Sequence, residues 1–182
     1  MKRSKFLLSS LASIPFLSMA KKLVRDSKGF FVAAGKTRLA ETLQIKGMTF
    51  NAFDVKIATA DTDGDQLLIE QIGTSPNKGP VLHVHPYQDE YVYVLEGEYL
   101  FQVGEEKHVM KVGDTIFLPR GVPHAFIQVT AKARFLLSYQ PAGKMEAFFT
   151  KMASFTKPPS PTEIKQIFED HDMKIVGSMV KP

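Results

Sequence analysis

The sequence predicts an all-β fold, an antiparallel sandwich or barrel, followed by a short helical extension. Two patterns carry that expectation. Between Glu90 and Gly113, short apolar stretches are punctuated by Gly97, Gly104 and Gly113, the turn spacing of short antiparallel strands. Beyond Pro141 the period changes: Met145, Phe148, Phe149 and Met152 stand at i, i+3, i+4 and i+7, one apolar face of a helix.

Taken in order, residues 21–35 read as an extended lead broken at Gly29 and Gly35, and 36–50 are ambiguous between helix and strand. Residues 53–60 alternate apolar and polar side chains as a strand does, 61–64 (DTDG) supply turn chemistry, and 66–72 return as the second arm of a hairpin. The DTDG turn also resembles the start of a calcium loop, but the later carboxylates at EF-hand spacing are missing. Residues 75–80 form a loop leading into a histidine-bearing strand. Residues 115–118 and 124–129 continue the sheet and 134–139 close it. In the tail, Ser160 with Glu163 three residues on and Pro161 at the first helical position make a capping box. Ile164, Ile167 and Phe168 are the buried face of that second helix, and such helices are expected to pack on the barrel or on a partner subunit.

The chemistry concentrates between Gly79 and Gln128. His83 and His85 are two apart, so in an extended strand both imidazoles project from one face. A carboxylate follows at Glu90, and His124 stands after a Pro and Gly turn where a neighbouring strand brings it alongside. Three imidazoles and one carboxylate suit one divalent transition metal, and Fe, Ni, Mn, Cu, Co and Zn all accept such donors. The alternative for the same side chains is a metal-free pocket in which they hydrogen-bond to one another. His108, beside Lys107, and His171, in the tail, read as surface or hydrogen-bonded residues. With period-two alternation, Val92 and Val94 share the inward face with Glu90, and Phe126 and Gln128 share it with His124, giving a largely apolar pocket wall. Tyr91 and Tyr93 then face away.

These stretches resemble the two motifs of the cupin superfamily. The first is met by His83, His85, Glu90 and Gly97 with four and six intervening residues, although Gly79 lies closer to His83 than the motif's leading glycine does. The second is met by Gly113, Pro119, Gly121 and His124, with Gln128 where the motif has Asn. The resemblance covers 67–139 and implies a double-stranded β-helix, the jelly-roll barrel, about 50–140, with a helical tail about 143–182. It implies that His83, His85, Glu90 and His124 are metal ligands. The tail is similar to that of single-domain bacterial cupins described as quercetin-2,3-dioxygenase-like. That likeness implies a metal-dependent dioxygenase for a small enolic or phenolic, flavonol-like substrate, with Glu90 doubling as catalytic base. A non-redox isomerase or lyase would need the same ligands, and a non-catalytic small-molecule binding protein could use the same fold.

At 182 residues the chain fits one domain, and 44% apolar with 23% charged residues is ordinary globular composition. The net charge of +4 comes largely from Lys2, Arg3 and Lys5, which leave 20 basic against 19 acidic residues in the rest of the chain. That near balance, without a basic stripe, gives nucleic-acid binding no support. Residues 1–20 have the basic start, apolar run and small residues at Ser18 and Ala20 of a cleaved export signal. The apolar run is too short for a stable membrane span. A periplasmic or secreted protein is therefore expected, with a cytoplasmic protein carrying an uncleaved leader as the alternative. The sequence contains no cysteine, which excludes disulfides and thiolate ligands. A homodimer is expected, because the apolar tail and the extended lead provide surface to bury.

Overall fold

A computed structural model describes residues 28–45 and 51–181, so the expectations for the 1–20 leader, for 21–27 of the extended lead and for 46–50 lie outside the described residues. The described strands are β1 (Leu43–Gln44), β2 (Ala52–Ile57), β3 (Leu67–Gly73), β4 (Val81–Val84), β5 (Asp89–Glu96), β6 (Tyr99–Val103), β7 (Glu106–Met110), β8 (Thr115–Leu118), β9 (His124–Gln128), β10 (Ala133–Gln140) and β11 (Lys174–Met179). Two helices, α1 (Met145–Ala153) and α2 (Pro161–Asp170), precede β11. One sheet has the order β1-β2-β3-β10-β5-β8 and the other β11-β4-β9-β6-β7, with antiparallel pairing throughout. Consecutive strands often lie in opposite sheets, which is the jelly-roll arrangement.

Alternation along the strands fills the space between the sheets. Tyr99, Phe101 and Phe135 are almost fully buried, with Phe126 against them at ring separations of 5.1 to 5.8 Å. Each buried aromatic of this kind stabilises the fold by roughly 1.5–3 kcal/mol. On the opposite face of β5 and β8, Tyr93 and Phe117 are exposed. The β2–β3 hairpin turns through a 3-10 segment, Thr59–Thr62, where the Asp61 side chain accepts from Ala58 N at 2.9 Å.

Two glycines allow close backbone approaches, one of them at the cavity wall. A Cβ at Gly79 would run into the Phe126 carbonyl, so only a glycine lets this loop lie against β9. Gly97 has φ of +72° and sits against the Lys132 carbonyl in the turn after β5.

In the tail, Ser160 Oγ accepts from Glu163 N at 3.3 Å while Ser160 N donates to Glu163 Oε2 at 2.7 Å, so the capping box forms as the spacing predicts. The tail is not helical to its end, because the chain turns after α2 and adds β11 to β4, with Ile175 opposite His83. None of the helices among the described residues is long and apolar enough to cross a membrane.

Candidate metal centre

Three strands of the two sheets bring the site together. His83 on β4 is directly opposite His124 on β9, and His85 follows β4 by one residue. Glu90, near the start of β5, reaches across from the other sheet. The Gly121 amide donates to the His85 carbonyl at 2.9 Å, tying the turn before His124 to the end of the first histidine strand. Arg120 grips Asp89 through its backbone N–H at 2.9 Å and its guanidinium, which holds the start of β5 to that same turn.

The histidine rings cluster at centroid separations of 5.0, 4.7 and 5.4 Å, and His83, His85 and His124 each offer a nitrogen within 4.8 Å of the others. Glu90 Oε1 lies 3.2 Å from His85 Nε2 and 3.1 Å from His124 Nε2. All four side chains are buried. His83 Nδ1 is 2.8 Å from the Val81 carbonyl and His124 Nδ1 is 3.0 Å from the Val122 carbonyl. A carbonyl can only accept, so each Nδ1 carries the proton and each Nε2 presents a lone pair. A lone pair facing a carboxylate oxygen is repulsive unless a cation or a proton lies between them. Consistently, Glu90 Oε1, His85 Nε2 and His124 Nε2 have no partner in hydrogen-bond geometry among the described residues. Donors 3.1 to 3.2 Å apart have the spacing of neighbouring ligands around one ion with bonds of about 2.1 Å. The residues therefore fit a divalent transition metal, and the histidine group could hold one.

At His83, His85 and Glu90 the electrostatics agree with that fit. Burial, reinforced by His124 and His85, lowers the His83 pKa to about 3, and burial also lowers that of His85. Burial opposes charge on Glu90 as well, but His85 and His124 outweigh it and hold the carboxyl below its ordinary range. At His124 burial is outweighed by Glu90, and the pKa is raised. Neutral imidazoles at His83 and His85 beside an ionised Glu90 are the protonation states a dication requires, while at His124 an ion would displace the proton that Glu90 favours.

These side chains form one end of a cavity of about 170 Å³. Val92 and Phe126 contribute to its wall. Val94 is buried in the core, opposite Phe135 of β10, and the Gln128 amide is directed to the carbonyls of Gly73, Thr130 and Ala131. Tyr139, paired with Glu90 in the sheet, also faces the cavity, 5.7 Å from the His85 ring. Burial, and then the Glu90 charge, keep its phenol protonated. Sequence reasoning missed Tyr139, although the alternation Phe135, Leu137, Tyr139 already placed it on the inward face. It also missed the role of the tail. Beyond packing on the barrel, α1 and α2 close the cavity with Phe148, Phe149, Met152 and Phe168, and Phe168 stands edge-on to His83 at 5.5 Å. His108 is exposed beside Glu106, and His171 Nδ1 contacts the Ile167 carbonyl at the end of α2, both remote in role from the cluster.

Residues 73–139 match a family model described as the cupin domain. An RmlC-like cupin from Shewanella frigidimarina superposes at a TM-score of 0.53 with 20% identity, covering 65% of this chain and 96% of that one, a likeness of fold. An uncharacterised protein of Methanocaldococcus jannaschii is 43% identical over 44 residues, which are 24% of this chain and 35% of that protein. Protein SchB of Streptomyces halstedii is 34% identical over 44 residues, 24% of this chain and 32% of that protein. The chain thus spans about a third of the length of the curated relatives it matches. The segment 73–139 therefore resembles a cupin domain, and the fold is that of the cupin jelly roll.

Proposed function

We propose that this protein is a mononuclear metal-dependent oxygenase acting on a small enolic or phenolic compound. The observation that carries the reading is the convergence of Nε2 and carboxylate atoms, without partners among the described residues, in a largely apolar cavity. His83, His85, His124 and Glu90 would hold the ion. A bound transition metal supplies a Lewis-acidic, redox-capable centre for an anionic substrate oxygen and dioxygen. The chain's own contributions are distinct from that chemistry. Phe126, Phe148, Phe149 and Phe168 exclude water and hold an apolar ring. Glu90, ionised and buried, accepts the proton of the substrate hydroxyl, whose O–H bond breaks as the carboxyl O–H forms. Tyr139, protonated, offers a donor on the same wall.

The cavity volume narrows the substrate class. An apolar cavity of about 150 Å³ holds a benzene ring, so about 170 Å³ supports one ring with short substituents rather than a three-ring flavonol. Elemental analysis of protein from its own host, with oxygen-electrode assays on single-ring phenols and enols, tests the proposal. Stoichiometric Fe, Mn, Ni, Cu or Co with substrate-dependent oxygen uptake, lost in His124→Ala, is the expected result. Turnover that persists without oxygen would instead assign a non-redox isomerase or lyase. Metal without any turnover would assign a binding protein.

We also propose a homodimer. The helical apolar faces are consumed by the cavity, so among the described residues the exposed apolar side chains include Tyr93 and Phe117 on the outer face of β5 and β8 and Phe30 and Phe31 of the lead. A monomer in sedimentation at micromolar concentration overturns this. Export is proposed from the 1–20 pattern, and an intact mass from the host that still includes those residues overturns it.

A further inference from the structure

One part of the cavity holds the imidazoles, and another part of its wall holds an amide that lies outside hydrogen-bond geometry with every described neighbour. Gln71 is 2% exposed and lines the cavity. Its Nε2 has no hydrogen-bond partner among the described residues. The Tyr99 hydroxyl is its polar neighbour, and that oxygen is also without a partner in hydrogen-bond geometry. Native folds pair nearly all buried amides, so one left open on a cavity wall points to a ligand group.

The sheet register places this amide relative to the metal centre. Tyr139 of β10 is opposite Glu90 of β5, and Phe135, four residues back on β10, is opposite Gln71 of β3. Four residues of strand span about 13 Å. Between the two polar levels the wall is apolar, formed by Val92 and Leu137 with Phe53 alongside Gln71. The cavity therefore has a polar end that suits an anionic oxygen, an apolar middle, and a remote N–H donor.

We propose that Gln71 is a second recognition point. The site takes a small, largely apolar phenol or enol that carries an acceptor oxygen, such as a ketone, at the end remote from its metal-binding hydroxyl. Gln71 Nε2–H donates to that oxygen. The proposal rests on the reading of the histidine cluster as a metal-held substrate site. Its consequence is selectivity, because a ligand lacking the remote oxygen enters the cavity and leaves the amide unpaired.

Two matched probes test it, 4-hydroxyacetophenone and 4-ethylphenol, which share the ring and differ in the remote oxygen. Dissociation constants are measured calorimetrically on the metal-loaded full chain and on Gln71→Met, with metal content followed in parallel for wild type and His124→Ala. The expected result is a preference for the ketone of about 10-fold or more in wild type. In Gln71→Met the preference disappears while 4-ethylphenol binds at least as well. Equal affinities in wild type overturn the proposal without any variant, as does a preference that survives in Gln71→Met. Binding of neither probe overturns it as well. In those cases, stoichiometric metal that His124→Ala removes leaves the metal-centre reading standing, whereas wild type that takes up no metal overturns that reading itself.

Discussion

Two histidine–carboxylate contacts in this molecule have nearly the same length and opposite surroundings. His124 Nε2 meets Glu90 Oε1 at 3.1 Å with both side chains 4% exposed, while His108 Nε2 meets Glu106 Oε2 at 3.3 Å with the side chains 49% and 81% exposed. The surface pair is screened by water and free to separate, so it contributes little. The buried pair is held by β4, β5 and β9, is joined by two further imidazoles, and is shielded from bulk water. Separation is nearly constant between the two, so it cannot be what makes a site. Burial and convergence from several strands do, because they turn an ordinary pair into donors that a cation must satisfy.

The largest effect should come from breaking the buried side. His124→Ala or Glu90→Gln is expected to cut bound metal to a small fraction of wild type and turnover by about 100-fold or more, beyond what loss of a supporting residue costs. Retained stoichiometric metal in both variants, read by elemental analysis, would remove the distinction drawn here. Next comes the wall that keeps the cluster dry. Phe148→Ala, at a position packed against Phe149 and Phe168, is expected to destabilise by about 3–5 kcal/mol in urea unfolding and to widen the range of ligands accepted.

Acidity should report burial directly in the metal-free protein. The His83 pKa is lowered from 6.5 to about 3, so between those values the unfolded chain binds the proton and the folded chain does not. Stability therefore falls as pH drops from 6.5 towards about 3 and levels off below. His85 acts in the same direction, and Glu90 adds to the loss as pH falls from 4.5 through its lowered pKa. His124 opposes them, since its raised pKa contributes stability below 6.5 that is lost as pH rises. His83→Gln is expected to flatten the acid limb, and an unchanged slope of unfolding free energy against pH would show that the burial is not felt. The smallest effect belongs to the surface pair. His108→Ala should leave metal content unchanged and alter stability by no more than about 0.5 kcal/mol.

Much of this arrangement was legible along the chain because it depends on local rules. The i, i+2 placement of His83 and His85, the strand after Glu90, the turn before His124 and the Ser160 cap each follow from period, turn residues or side-chain reach within a few positions. The strand β11 was not legible. Lys174–Met179 holds Gly177 and Ser178 and stays largely exposed, so no alternation marks it, and it exists because β4 presents an unpaired edge.

By itself, then, the sequence determined which side chains could act together and in what kind of fold, since spacing sets facing direction. Tertiary structure decided what surrounds them. The apolar faces of α1 and α2 could have met another surface, but they close the cavity beside His83. Gln71 looked like one polar residue in a hairpin strand, yet the pairing of β3 with β10 buries it on the cavity wall. The physical reason is that facing direction is a property of neighbouring residues, whereas burial depends on segments distant in sequence that cover them.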